Sequence, residues 1–305
     1  ILLNNNFQNS DKYLSIAKKL IPALAQTFSK APYSYVQGVY PSFLKRGKGS
    51  HVFDVDGNEY IDYVLGLGAI TLGYSYDKIN KQVIKQLEDG VSFSMPHPLE
   101  VELGQLISDT VKNAEMVKFT KTGSDAVTAA VRAARAITGR NKIAYCGGGG
   151  VWHDWFAIMI SRNKGIPTFN KELIKIFEYN KIETLKKIIE DESDDIAAIC
   201  MEPMMIEYPT QNFLHDVRKI ATENGSVLIF DEVVTGFRFD MGGAQKILNV
   251  EPDLTTFGKG MGNGFPIGTI VGKTEFMQIF DDIFYSTTFA GEAVSLSASK
   301  AVIEE

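Results

Sequence analysis

The chain has 305 residues, 45% of them hydrophobic, with 31 basic against 37 acidic side chains and a formal net charge of −6. That length gives ample core for one large domain or two. No run approaches the ~20 apolar residues of a membrane-spanning helix, and the acidic balance offers nothing to nucleic acid.

The start, Ile1-Leu2-Leu3-Asn4, lacks the basic flank and long apolar stretch of a secretion signal, and without Met it reads as trimmed. Asp11–Leu24 has helical apolar spacing and is expected to stop near Pro22. Two alternating runs flank Asp56-Gly57 within His51–Asp62, which predicts a hairpin, because Asp-Gly accepts the positive φ of a tight turn. Asp77–Leu87 and Pro96–Val111 read as helices. From Val117 onward short apolar strands alternate with amphipathic helices. The predicted strands are Val117–Thr120, Ile143–Cys146, Phe156–Ile160, Ile196–Met201, Val227–Phe230, Thr255–Phe257 and Ile267–Val271. The predicted helices are Asp125–Thr138, Lys181–Glu190 and Phe213–Glu223. This alternation predicts an α/β fold, a mostly parallel sheet with helices on both faces. The last helix, Gly291–Glu305, stops without a C-cap. The expected division is an N-terminal segment over residues 1–95 and a large domain over 96–305, with a C-terminal small domain missing from the chain. Cys146 and Cys200 lie in apolar strand-like runs and read as buried thiols of a reducing, cytoplasmic compartment.

Glycine is over-used: a typical ~7% would give about 21, and the chain has 27, ten of them at Gly147–Gly150 and between Gly258 and Gly272. Such a local surplus suits backbone-led binding rather than a linker.

In sheets of this kind, ligands bind beyond the carboxyl ends of the strands, and three strand ends carry suitable groups. In Thr120-Lys-Thr-Gly-Ser-Asp125, the N–H groups of Gly123 and Ser124 and the hydroxyls of Thr122 and Ser124 would converge at a helix N-terminus as an anion cradle. Helix capping by Ser124 or Asp125 explains the same residues. In Val227-Leu-Ile-Phe-Asp-Glu232, an acidic pair follows a buried strand and needs a partner. That partner is a cationic ring nitrogen, a metal, or simply Arg238. In Phe257-Gly-Lys-Gly260, glycines would let the backbone bring the Lys259 amine into a confined site, where desolvation lowers its pKa and favours Schiff-base chemistry; a surface lysine on a flexible loop is the alternative.

Other glycine motifs fail on spacing. No G-x-G-x-x-G fits Gly258–Gly268, and no G-x-x-x-x-G-K-[ST], G-x-S-x-G or H-E-x-x-H occurs. His51, His97, His153 and His215 are scattered, so no metal site is expected. The three strand ends together are what pyridoxal 5'-phosphate needs: donors for its phosphate, a carboxylate for its pyridine nitrogen and a lysine for its aldehyde.

Thr122-Gly-Ser-Asp-Ala, Asp231-Glu-Val-Val-Thr-Gly-Phe-Arg, Phe257-Gly-Lys-Gly-Met-Gly-Asn-Gly-Phe-Pro-Ile-Gly and Ser286-Thr-Thr-Phe-Ala-Gly-Glu resemble the class III aminotransferases. The likeness is greatest to the branch containing glutamate-1-semialdehyde 2,1-aminomutase, and it runs from about Leu14 to the end. It implies a fold-type I pyridoxal-phosphate transferase. Lys259 would hold the cofactor as a Schiff base and then shuttle the substrate proton. Asp231 would bind the pyridine nitrogen, and Thr122, Gly123 and Ser124 the phosphate. Thr288 would reach the cofactor phosphate of a second subunit in a homodimer, and Glu202 would lie near the ring.

Two departures bear on the expectation. Where the family has Tyr-His-Gly, with the aromatic stacked on the ring, this chain has Cys146-Gly-Gly-Gly-Gly-Val-Trp-His-Asp-Trp155; the stacking aromatic is lost or displaced to Trp152 or Trp155. Where the aminomutase carries a carboxylate-binding arginine, this chain has Ala31–Tyr40 without one, its first arginine being Arg46. Tyr33, Ser34, Tyr35 and Gln37 there suit a hydroxylated or neutral acceptor. The expectation is therefore transfer of an amino group from a donor, through pyridoxamine phosphate, to an aldehyde or ketone. The alternatives are the intramolecular aminomutase and a catalytically silent assembly module of the same fold.

Overall fold

Among residues 6–305, which the computed structural model describes, the N-terminal helix spans Gln8–Leu20. It ends where Pro22 pushes the residue before it, Ile21, into an extended conformation. Strands β1 (Leu44–Lys48), β2 (His51–Asp54) and β3 (Glu59–Ile61) form a three-stranded antiparallel sheet. The predicted hairpin is its second half. Gly57 turns at φ +92, and the buried Asp54 carboxylate accepts from the N–H groups of Asp56 and Asn58, both at 2.9 Å.

Seven strands make the main sheet: β4 (Met116–Thr120), β5 (Lys142–Cys146), β6 (Ile174–Ile176), β7 (Ile196–Met201), β8 (Val227–Glu232), β9 (Leu254–Phe257) and β10 (Gly268–Gly272). Their order is β4-β10-β9-β8-β7-β5-β6, parallel except for β10, which runs antiparallel to both neighbours. Every residue of β7 and β8 is buried, as strands covered on both faces require. Their side chains divide by alternation. Ala198, Cys200, Val227 and Ile229 pack under the helix Gly123–Thr138, whose alanines allow close approach. Ile199, Met201, Leu228 and Phe230 pack under Phe213–Asn224. Both helices end on a left-handed glycine, Gly139 and Gly225. The two cysteines are free and buried on opposite faces of the sheet.

One expected strand is absent. Phe156–Ile160 begins in the helical turn Asp154–Ala157, and its residues to Ile158 are buried beside the sheet. A short, continuous apolar run has no period to separate strand from helix. The edge position goes instead to β6, beside β5. The last helix, Ala293–Glu304, packs on Asp77–Asp89 through Ile79, Val83, Ala298 and Val302, and on Pro98–Thr110 through Leu103, Ile107 and Leu296. These contacts cross residue 95. No helix among the described residues is long and apolar enough to cross a membrane.

Candidate active site

The carboxyl ends of β4, β5, β7, β8 and β9 share one edge of the sheet with the start of β10, since Gly268 pairs with Thr120 and Thr269 with Phe257. The three sequence signals meet along this edge.

Asp231 is the last residue but one of β8 and is only 9% exposed. Its Oδ1 accepts from the Val233 N–H at 3.1 Å and the Thr256 hydroxyl at 3.4 Å, while Oδ2 accepts no hydrogen bond among the described residues. Burial, which disfavours the charged form, pushes its carboxyl up to about 7; the Val233 bond and the charge of Lys259 hold it down and Glu202 raises it. Its neighbour Glu232 is fully buried but satisfied, accepting from the Ala244 N–H at 2.6 Å, the Gln245 N–H at 2.8 Å and the Thr235 hydroxyl at 2.7 Å. The acidic pair thus splits: Glu232 anchors the chain beyond β8, and Asp231 is left facing the site. Arg238 forms an ion pair with neither.

Lys259 follows β9 with φ +41 and opens a short 3-10 turn to Gly262. Gly258 allows close approach, since a Cβ there would stand 3.5 Å from the Gly123 Cα and 3.4 Å from the Ile267 carbonyl. Lysine loop and anion cradle therefore touch backbone to backbone. Desolvation lowers the Lys259 amine below the ordinary lysine value, opposed by Asp231 and Glu202 and assisted by Arg238. Glu202, just beyond β7, is raised by burial, while a hydrogen bond from the Gly148 N–H at 2.6 Å and the charge of Lys259 lower it. Lys259, Asp231 and Glu202 are thus within one another's field without any ion pair between them.

The helix Gly123–Thr138 is capped by Thr122 and Asp125 jointly. The Thr122 Oγ1 accepts from the Asp125 N–H at 3.2 Å, and Asp125 Oδ2 accepts from the Thr122 N–H at 2.9 Å. The cap leaves room for the expected cradle, because the Thr122 hydroxyl keeps its own proton to donate and the N–H groups of Gly123 and Ser124 have no intrahelical acceptor. The Ser124 hydroxyl donates to the Gly150 carbonyl at 3.2 Å, tying the cradle to the glycine run.

Trp152 is 68% exposed, its ring stacked on His153 at 4.4 Å. Trp155 is core, its indole N–H donating to the Thr128 hydroxyl at 2.9 Å. Thr288 is exposed on the wall of a cleft of about 710 Å³ with Phe93, Met95 and Tyr285, a cleft that Lys259 and Asp231 do not line. In residues 33–37 three polar groups turn to their own backbone: Ser34 to the Phe28 carbonyl, Tyr35 to Ser29 and Gln37 to Pro32. Each spends a donor on these bonds and keeps its oxygen as an acceptor, and Tyr33 is 47% exposed.

Sequence reasoning missed Asn263. Its Oδ1 accepts from the N–H groups of Thr71 at 2.8 Å and Leu72 at 2.9 Å, and its Nδ2 donates to the Gly73 carbonyl at 3.0 Å. It thereby clamps the segment before Tyr74 to the lysine loop. The available signal was an asparagine amid glycines, a residue that tolerates its φ of +43. Asn263→Ala is expected to cost about 2–3 kcal/mol in urea denaturation, because two backbone donors lose their acceptor.

Among the described residues no group of three or more His, Cys, Asp or Glu could hold a metal ion. Residues 33–305 match the family model of the class-III aminotransferases. The chain is 41% identical over 296 residues to the 3-aminobutyryl-CoA aminotransferase of Cloacimonas acidaminovorans, covering 94% of this chain and 70% of that one. It is 42% identical over 286 residues to the glutamate-1-semialdehyde 2,1-aminomutase of Methanosphaera stadtmanae, covering 87% and 66%. The chain thus spans about two thirds of the relatives' length. A solved transaminase with pyridoxal phosphate bound superposes with a TM-score of 0.90 at 28% identity, over 98% of this chain and 74% of that one. Matched by the family model over most of its length, this chain belongs to the class-III aminotransferases, a family of pyridoxal-phosphate enzymes.

Proposed function

We propose that the chain forms the cofactor-binding part of an aminotransferase that moves an amino group between a donor and a separate aldehyde or ketone, with Lys259 and Asp231 at its centre. The observation that carries this reading is the convergence of a half-buried lysine of lowered pKa and a buried aspartate with one unpartnered oxygen. The residues fit the cofactor. Asp231 Oδ2 lacks the cation that would hold it ionised, and the cradle offers N–H donors suited to phosphate.

The cofactor supplies an aldehyde for the substrate amine and a ring that accepts electron density from the substrate's Cα. The rest belongs to the chain. Lys259 would hold the cofactor and would move the proton to and from the substrate's Cα; its lowered pKa leaves more of the amine neutral for that task. Asp231 would keep the ring nitrogen protonated. Gly123, Ser124 and Thr122 would hold the phosphate. Glu202 ties the glycine run to the end of β7 through the Gly148 N–H. The test is uptake of pyridoxal phosphate with a visible absorption band, bleached by an amino donor and restored by an acceptor. Bleaching without restoration by any added carbonyl compound counts against transfer between molecules.

Intramolecular amino transfer, the reaction in the name of the Methanosphaera relative, is the second reading. The absence of an arginine in residues 31–40 weighs against it. Efficient formation of 5-aminolevulinate from glutamate-1-semialdehyde without an added donor would favour it instead.

The homodimer belongs to the same proposal. Phe93, Met95, Val101, Phe284 and Phe289 are each more than half exposed around the Thr288 cleft, an apolar face that a second copy would cover. Thr288→Ala is then expected to weaken cofactor binding several-fold without changing the dimer mass, as read by fluorescence titration and light scattering.

A further inference from the structure

We propose that Arg238 recognises the carboxylate of the substrate, so that the enzyme selects amino acids and oxo acids over neutral amines and carbonyls. The proposal rests on Lys259 being the reactive amine.

Of the chain's seven arginines, six have work elsewhere. Arg218 pairs with Asp253 at 2.9 Å. Arg132, Arg135 and Arg140 donate to backbone carbonyls. Arg46 and Arg162 cover the rings of Phe53 and Phe28. Among the described residues the Arg238 guanidinium makes no ion pair, side-chain hydrogen bond or ring contact.

Its position is set firmly. Gly236 sits where a Cβ would come within 2.2 Å of the Phe257 ring, and its carbonyl lies 3.6 Å from the Cβ position of Gly260, so this turn packs on the lysine loop. Phe237 adopts φ +55, costly for a bulky residue, and is held there by its buried ring 5.2 Å from that of Phe257. The reversal sends Arg238 outward. Its Nη1 lies 3.8 Å from the Cβ position of Gly68, in a stretch where Leu65, Gly66, Leu67 and Gly68 all have positive φ. The guanidinium thus stands at the site's rim, between this stretch and the lysine loop.

A guanidinium offers two parallel donors matched to a carboxylate. Its charge reaches the Lys259 amine, whose pKa it helps to lower. An anion bound at Arg238 would therefore sit within reach of the reacting amine. No arginine occurs in residues 31–40 to compete for that role.

The test uses the cofactor-loaded protein and reads bleaching of the visible band by alanine, β-alanine and 4-aminobutanoate against propylamine. Wild type is expected to favour the best carboxylate donor at least tenfold in kcat/KM. Arg238→Gln should cut that preference at least tenfold, mainly through KM, and Arg238→Lys should recover part of it. A wild type without preference, or a preference within twofold of wild type in Arg238→Gln, overturns the assignment and leaves Lys259 standing. A preference lost together with a lowered Tm or an altered subunit mass also overturns it, in favour of a structural arginine. A wild type that takes up no cofactor brings down both proposals.

Discussion

Lys259→Ala is expected to abolish the visible band of the cofactor-loaded protein and to lower turnover at least about a thousandfold, since both the covalent tether and the proton carrier are lost. The fold should survive. The side chain is half-buried, hydrogen-bonds to nothing among the described residues and is flanked by glycines that keep the loop's shape. Borohydride treatment gives the complementary check: in wild type the peptide bearing Lys259 should gain the mass of the reduced cofactor. Label on another lysine, or an intact band in the variant, refutes the assignment. Restoration of slow turnover by small free amines would show that the proton carrier, and not the architecture, was removed.

Asp231→Asn is expected to cost nearly as much. Asparagine fills the same space and can still accept at Oδ1, but it leaves a buried cationic nitrogen unpaired, a loss of about 2–5 kcal/mol or roughly 30- to 5,000-fold in turnover. The variant also has a pH signature. With no cation paired to it, the carboxyl stands at about 7, above the ordinary 3.8, because burial disfavours its charge. The folded protein then binds more protons than the unfolded chain between about pH 4 and 7, so this group's contribution to stability falls as pH rises through that window. At about 1.4 kcal/mol per tenfold change in acidity the whole effect is on the order of 4–5 kcal/mol. A cationic partner offsets it. Loading the cofactor should therefore stabilise the protein more at pH 8 than at pH 5 in urea melts, and Asp231→Asn should flatten the difference. An unchanged pH dependence in the variant would remove Asp231 from the site's electrostatics.

The strand ends were legible in the sequence because each combines a buried apolar run with a polar residue that the interior cannot hold without reason. Period and composition carried the core strands β7 and β8 and the alanine-rich helix. They did not carry Phe156–Ile160, where an apolar run without a period was read as a strand and is in part a helical turn. Nor could they separate Asp231 from Glu232. Both close the same strand, and only the backbone donors of Ala244 and Gln245, brought back by the fold, consume one and spare the other. Asn263 was hidden for a related reason: it reaches backbone groups some 190 residues away. Arg238 was in view as a possible partner of the acidic pair, and only the fold shows that it pairs with neither carboxylate.

The reversed direction of β10 has a consequence for how the lysine is carried. Were β10 parallel to β9, the chain leaving Lys259 would have to travel the depth of the molecule before re-entering the sheet, commonly through a crossover of a dozen or more residues. Instead it re-enters at Gly268 on the same edge, held on one side by Phe257 and on the other by Thr120. The Lys259 side chain thus rides on a short bridge with both footings in the sheet. Such a span has little slack, so sideways excursions of the amine are small and lengthening the bridge would detune it. The glycines are then the joints of a stiff mount, and any motion that the proposed role of Lys259 asks for would be left to the lysine's own four methylenes.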